Sequence, residues 1–368
     1  MTMEFKKMIV PLVVVIILAA VVVGVVVSQN NNNTPTEKTV VDARGRTVTV
    51  PSNVDKVVCL SAGSVRLVSY IAGIDNIVGV DSMDSGAKGS PANYYFATYR
   101  CAYDIKALTD VGSKENQKAI IETGAQVIFS SKEDTGVLDT LQKQTGIPVV
   151  AVNAEGNVTI KDKEFKDNIK IVAKVMGKEK RGDDLLNGIN TMVSEIDGYA
   201  KKVTSKADCY VGGMFYMMKG DLTMTTGNYL PFDMVSARNT MPDINNGNPY
   251  QTDIKGIVDS DAEFMFIDCM TNAVSKEMFE ENRDTLSVLD AVANGDIYSL
   301  FAYKYYGTNW ESELYNAYYI GSVLYGDVFD YNVKDKINSV LELFYPDTGL
   351  NYDSLAQKQS PGTVKLDW

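Results

Sequence analysis

Histidine is absent from all 368 residues. That gap removes the Ser-His-Asp and Cys-His catalytic arrangements, the paired-histidine zinc protease site and histidine pockets for manganese or zinc. Cysteine is scarce. Cys59, Cys101, Cys209 and Cys269 are widely spaced and form no C-x-x-C pair, so no zinc or redox motif is present. Cys59, Cys209 and Cys269 sit in or beside apolar strand-like runs, where an unpaired thiol packs as a small hydrophobe. Positive charge is also short: 35 Lys+Arg against 47 Asp+Glu give a net charge of -12. No basic stripe is left to neutralise phosphates, which argues against nucleic acid as a partner. The enzyme chemistry that remains is a carboxylate pair, as in glycoside hydrolysis, and no spacing singles one out.

Long apolar runs are limited to one. From Met8 to Val27 the chain is apolar, Pro11 and Gly24 included, which is long enough to cross a bilayer as a helix. Lys6 and Lys7 precede it and stay cytoplasmic by the positive-inside rule. A cleaved signal peptide is the rival reading, but its apolar region is usually shorter and ends in small residues. Residues 1–7 are therefore expected to be cytoplasmic and 8–27 a membrane anchor, with the bulk of the protein extracytoplasmic. The polar stretch 28–37, with its run Asn30 to Asn33, reads as a flexible linker.

What is present is an alternation of strands and helices. Thr39–Asp42 and Thr47–Val50 flank Ala43-Arg-Gly-Arg46 in a hairpin pattern. Apolar runs at 56–60, 77–80, 126–130 and 148–152 alternate with helical segments, a rhythm that implies parallel pairing. Residues 161–203 read as helix without strands, and strands resume at 209–211, 264–267 and 297–300. The predicted fold is α/β, with two Rossmann-like αβ lobes (38–160 and 205–368) carrying mostly parallel sheets and joined through a helical segment (161–204) by one long helix. Ligand is expected between the lobes, at the carboxyl ends of the strands.

The segments Thr39-Val-Val-Asp-Ala-Arg-Gly-Arg-Thr-Val-Thr-Val-Pro51, Lys56-Val-Val-Cys-Leu-Ser-Ala-Gly-Ser64 and Ile77-Val-Gly-Val80 resemble the opening of iron-siderophore and cobalamin periplasmic binding proteins. The likeness continues through Asp110-Val-Gly-Ser113, Ala119–Phe129, Thr145-Gly-Ile-Pro148, Leu185–Val203, Val211-Gly-Gly213 and Gly295-Asp-Ile-Tyr298. The resemblance implies a monomeric, non-enzymatic substrate-binding component of an ABC importer, without a cofactor of its own. It implies ABC permease and ATPase subunits as partners. In this family an acidic residue on each lobe commonly docks on the permease. The aligned positions here are Lys118 and Ile254, so Glu115 and Asp253 nearby take that role. Val65-Arg66 also departs from the threonine and glutamate of many relatives.

Aromatic residues crowd between Phe301 and Tyr325. Leu314, Tyr315, Tyr318, Tyr319 and Val323 recur at helical spacing and read as a core face. Tyr303, Tyr305, Tyr306, Asn309 and Trp310 surround Gly307 directly after a strand, and are candidates for ligand contact as well as for packing. The long loop between Val80 and Ile105 offers Asn93, Tyr94, Tyr95, Tyr99 and Arg100, either as ligand contacts or as aromatics that pin a surface loop. In the second lobe Tyr216 and Tyr229 are candidates, whereas Met217 and Met218 read as gap-filling core. Ser61, Gly63 and Ser64 join a strand to a helix start. Free N–H groups there favour an anionic ligand group, and an N-cap by Ser64 is compatible with that. Tyrosine is both a hard donor for ferric iron and a stacking surface. A ferric chelate ranks first as ligand, with a corrinoid (cobalamin) or haem second. A tethered receptor without a transporter and a carboxylate-dependent hydrolase are the readings from other classes.

Overall fold

Asp42 shapes the first element. Its Oδ1 accepts the Arg44 and Arg46 amides at 2.9 and 3.0 Å, closing the turn between β1 (Glu37–Val41) and β2 (Thr47–Pro51), which pair antiparallel. Its Oδ2 accepts the Ala151 amide at 3.1 Å and so ties the hairpin to the first sheet. The computed structural model describes residues 36–61, 63–87, 91–131, 133–154 and 157–368. The expected anchor at 8–27 lies outside the described residues. Among the described residues, no helix is long and apolar enough to cross a membrane.

The first sheet contains β3 (Val57–Leu60), β4 (Ile77–Asp81), β5 (Asp110–Gly112), β6 (Val127–Ser131) and β7 (Val149–Val152), parallel in the order β5-β4-β3-β6-β7. Strands β3, β6 and β7 are buried along their whole length, as continuous apolar runs in parallel sheets require. The helices are α1 (Ser64–Ala72), α2 (Tyr99–Ala102), α3 (Gln117–Glu122) and α4 (Thr135–Thr145). The helical segment is a pair, α5 (Lys163–Met176) and the 22-residue α6 (Glu179–Ala200), with α5 ended by Gly177 at φ 63°.

The second sheet holds β8 (Asp208–Gly212), β10 (Arg238–Asn239), β12 (Phe264–Asp268) and β13 (Ile297–Leu300), parallel in the order β10-β8-β12-β13; β9 (Met224–Thr225) and β11 (Tyr250–Gln251) pair antiparallel beside it. Helices α7 (Leu230–Met234), α8 (Ile254–Asp259), α9 (Asn272–Glu281), α10 (Arg283–Leu286) and α11 (Asp290–Ala293) accompany it. In each sheet the strand order reverses about the centre, between β3 and β6 and between β8 and β12. The loops leaving those strands therefore border a crevice.

The last part of the chain departs from the sequence expectation. Residues 301–368 are expected in the second lobe, and in the structure α12 (Trp310–Leu324), α13 (Val333–Phe344) and α14 (Tyr352–Lys358) reach the elements of the first sheet as well. The hydroxyls of Tyr70 and Tyr345 both donate to Glu311, and Lys358 Nζ donates to the Cys101 carbonyl at 2.7 Å. Helix α12 is buried on nearly every side. A single apolar cluster accordingly runs from Val40 through α1, α5, α6 and α7 to Leu355. Tyr315 and Tyr318 lie in it, as their helical spacing predicts, with Tyr319 packed against it. All four cysteines are free and buried, and burial pushes their thiols up.

Candidate ligand-binding cleft

Two loops that follow strands of different sheets meet at Arg100. Its guanidinium carbon lies 4.7 Å from the Tyr94 ring centroid, 5.4 Å from Tyr99, 5.7 Å from Tyr305 and 5.4 Å from Tyr306. Tyr94 and Tyr99 come from the 81–105 connection of the first sheet, Tyr305 and Tyr306 from the loop after β13. The charge is balanced locally: Arg100 Nη2 donates to Asp84 Oδ1 at 3.2 Å and to the Met83 carbonyl at 2.9 Å, and the Tyr99 hydroxyl donates to the same carboxylate. The Tyr94 hydroxyl and Asp84 Oδ2 are buried without a hydrogen-bond partner among the described residues. Burial raises Tyr94 to about 12 against the opposing pull of Arg100, and pushes Tyr305 above the usual phenol range. Both phenols are therefore neutral near pH 7.

A second arginine holds the loop in place. Arg66, fully buried in α1, donates to the carbonyls of Tyr305 (2.8 Å) and Tyr306 (3.0 Å) and to Asn309 Oδ1 (3.1 Å). Tyr306 adopts φ 51° and Gly307 φ 96°. A Cβ on Gly307 would strike the Ala154 carbonyl and come within 3.1 Å of Arg66 Nη1, so the bend requires glycine twice over. Asn309 donates to the carbonyls of Phe96 (2.8 Å) and Ala302 (2.9 Å), which makes it an interior tie.

Beside this cage the carboxyl ends of β3, β4, β5 and β6 enclose a polar hollow of about 180 Å³, lined by Ser61, Asp81, Met83, Lys114, Glu115 and Glu133 among others. Lys114 pairs with Glu133. Burial and the neighbouring Asp84 raise Asp81 to about 6, while amides including that of Ser61 hold it down.

Residues 57–303 match the family described as periplasmic binding protein. The chain belongs to that family. It is the extracytoplasmic solute-binding component of an ABC importer, not an enzyme. No curated protein matches its sequence. Similar solved structures include a periplasmic solute binding protein of Veillonella parvula, at 15% identity, with TM-score 0.69 and 87% of this chain and 96% of that one covered. The molybdate periplasmic binding protein MolA of Haemophilus influenzae follows, at 16% identity and TM-score 0.65, covering 85% and 99%. The petrobactin-binding protein YclQ of Bacillus subtilis gives 18%, 0.55, 81% and 100%.

In this binding protein the residues singled out by sequence divide. Tyr94, Arg100, Tyr305 and Tyr306 converge as described, with Tyr95 beside Tyr94 (rings 5.1 Å apart), and Ser61 and Glu115 share the hollow. Trp310 does not join the cleft wall. It opens α12 at 1% exposure, packs on Phe165 at 4.9 Å and donates its indole N–H to the Val158 carbonyl at 2.8 Å. Tyr303 and Tyr229 are interior too, their rings tilted against each other at 4.7 Å, and the buried Glu313 accepts the Tyr303 hydroxyl (3.2 Å). Ser64 is not the N-cap of α1: Gly63 takes that place at φ 86°, and the Ser64 hydroxyl turns inward to the Leu60 and Ser61 carbonyls. Ala154 crowds the space a side chain at 63 would need, which explains the glycine. Asp253 caps α8 through the Gly256 amide (2.6 Å), and Glu115 directly precedes the α3 cap Asn116. Both acids are exposed at corresponding helix starts. Tyr99, also singled out from the long loop, joins the cage at Arg100, whereas sequence reasoning missed Asp84. It missed Arg66 as well, although its departure from the family pattern was a signal. Met217 and Met218, read as core, are 78% and 79% exposed.

Two acids in the interior predict a pH dependence. Burial raises Asp268 to about 7 and Glu313 to about 8, from ordinary values of 3.8 and 4.5. Between pH 4 and 8 the unfolded chain therefore binds fewer protons than the folded one, so stability falls as pH rises through that window. Lys304, lowered by burial to about 8, acts oppositely above pH 8, where only the unfolded chain keeps its proton. Urea melts should find the protein less stable at pH 8 than at pH 5. Glu313→Gln should remove on the order of 3–5 kcal/mol of that slope. A rise in stability from pH 5 to 8 contradicts this assignment.

Proposed function

We propose that this binding protein captures a ferric chelate between its lobes and delivers it to the permease, with Glu115 and Asp253 as the docking acids and residues 8–27 as the membrane anchor. The observation that carries the ligand assignment is the cage at Arg100, where rings from both lobes meet and the Tyr94 hydroxyl is buried without a partner among the described residues. The geometry of the cage favours stacking among the two uses of tyrosine: the rings gather around one guanidinium already paired with Asp84, and the Tyr94 hydroxyl is left to hydrogen-bond a chelator. The reading is thus of iron wrapped in an organic ligand. The petrobactin-binding relative supports an iron chelate, and the molybdate-binding one shows that the shared fold does not choose the cargo.

Purifying the full chain from its native source and analysing what accompanies it by absorbance and mass spectrometry tests this. Iron with an organic chelator is the expected cargo; a haem or corrin band, or an oxyanion alone, refutes it. Tyr305→Ala, which removes one wall of the cage, should weaken ligand binding by about 1–3 kcal/mol; the ring is also buried in the core cluster, so stability falls as well, and titrations on the folded fraction beside melts separate the two effects.

A further inference from the structure

The hairpin leaving β8 carries an anomaly. Tyr216 and Lys219 form an antiparallel bridge, with the Tyr216 amide on the Lys219 carbonyl at 2.8 Å and the reverse at 3.0 Å. The two residues between them, Met217 and Met218, have φ of 48° and 65°. Both central residues in the left-handed region define a type I′ turn, which strongly favours Asn-Gly. Large side chains there are strained, and these two are also the most exposed large apolar residues described, at 78% and 79%. Neither packing nor turn chemistry accounts for them.

Their place in the fold does. Strand β8 flanks the point where the second sheet reverses its strand order, so its outgoing loop lies at the crevice. The base of the hairpin touches the cage: the Phe215 and Tyr305 rings are 6.5 Å apart. Thioethers are polarisable, conformationally adaptable and attracted to aromatic rings. We propose that Met217 and Met218 form a jaw of the binding cleft that closes on an aromatic face of the chelate, selecting aryl-bearing chelators such as catecholates over aliphatic ones. This inference rests on the ferric-chelate reading above.

The test is Met217→Asn with Met218→Gly in the full chain, a replacement that suits the turn and should preserve or raise the melting temperature. Calorimetric titration would use two probes, the iron(III) complexes of 2,3-dihydroxybenzoate and of acetohydroxamate. Affinity for the aryl probe should fall about tenfold, the size of two lost sulfur–ring contacts, while any affinity for the hydroxamate stays unchanged. Equal aryl affinity in variant and wild type overturns the jaw. If Tyr305→Ala still weakens binding in that case, the cage reading survives alone. Wild-type protein that binds neither probe overturns both. Unchanged binding with lost uptake in cells would place the pair on the permease instead, and also overturns the proposal.

Discussion

Trp310→Ala should cost the protein roughly 3–5 kcal/mol of stability, the range for emptying a buried aromatic site. The indole is 1% exposed, lies against Phe165 and 6.4 Å from the Tyr70 ring, and donates to the Val158 carbonyl. Truncation leaves a cavity where α12 meets α1 and α5, and a buried carbonyl without its donor. Ligand affinity in the folded fraction should hold. Denaturant melts beside titrations check both halves, and a variant that melts like wild type but binds weakly would return Trp310 to the cleft.

Arg66→Met is expected to have the next largest effect. The guanidinium is the donor shown here for the Tyr305 and Tyr306 carbonyls, and each buried acceptor left bare costs about 1–3 kcal/mol. A loss of roughly 2–5 kcal/mol in stability should follow. Binding should weaken too, because Tyr306 at φ 51° is kept in its bend by that bond. Arg66→Lys should not rescue, since one ammonium cannot reproduce the forked contact to two carbonyls and Asn309. Wild-type melting and affinity in Arg66→Met would show that the loop holds itself.

Arg66 ties the loop after β13 to α1 of the first sheet. Together with the Tyr70–Glu311–Tyr345 bonds and the Lys358–Cys101 bond, it makes residues 301–359 a bridge between the first and second sheets. The aromatic loop is thereby positioned by residues of the first sheet's helices although it follows a strand of the second sheet.

The strands at 57–60, 77–81, 127–131, 149–152, 208–212, 264–268 and 297–300 were legible because each is a continuous or alternating apolar run bounded by polar or glycine residues. Helical spacing likewise placed Tyr315 and Tyr318 in the core, and α1, α5 and α6 follow from their periodicity. These are local patterns, and local patterns report which face of an element meets apolar surroundings. The family resemblance was carried by the same segments. Which tyrosines meet Arg100 was another matter. Trp310 and Tyr305 are five residues apart with similar composition around them, yet one is sealed between α1 and α5 at the start of α12 and the other is a ring of the cage. Their fates depend on Arg66 and Asn309, whose partners are more than 200 residues away along the chain. Met217 and Met218 reverse the expectation for the same reason. An apolar pair reads as core from sequence, and only the backbone of a two-residue turn, set by the Tyr216–Lys219 bridge, forces both side chains outward. Sequence alone determined the elements, their order and the family, because those rest on short-range periodicity. Tertiary structure decided which side chains gather at Arg100, because that depends on contacts between residues the chain keeps far apart.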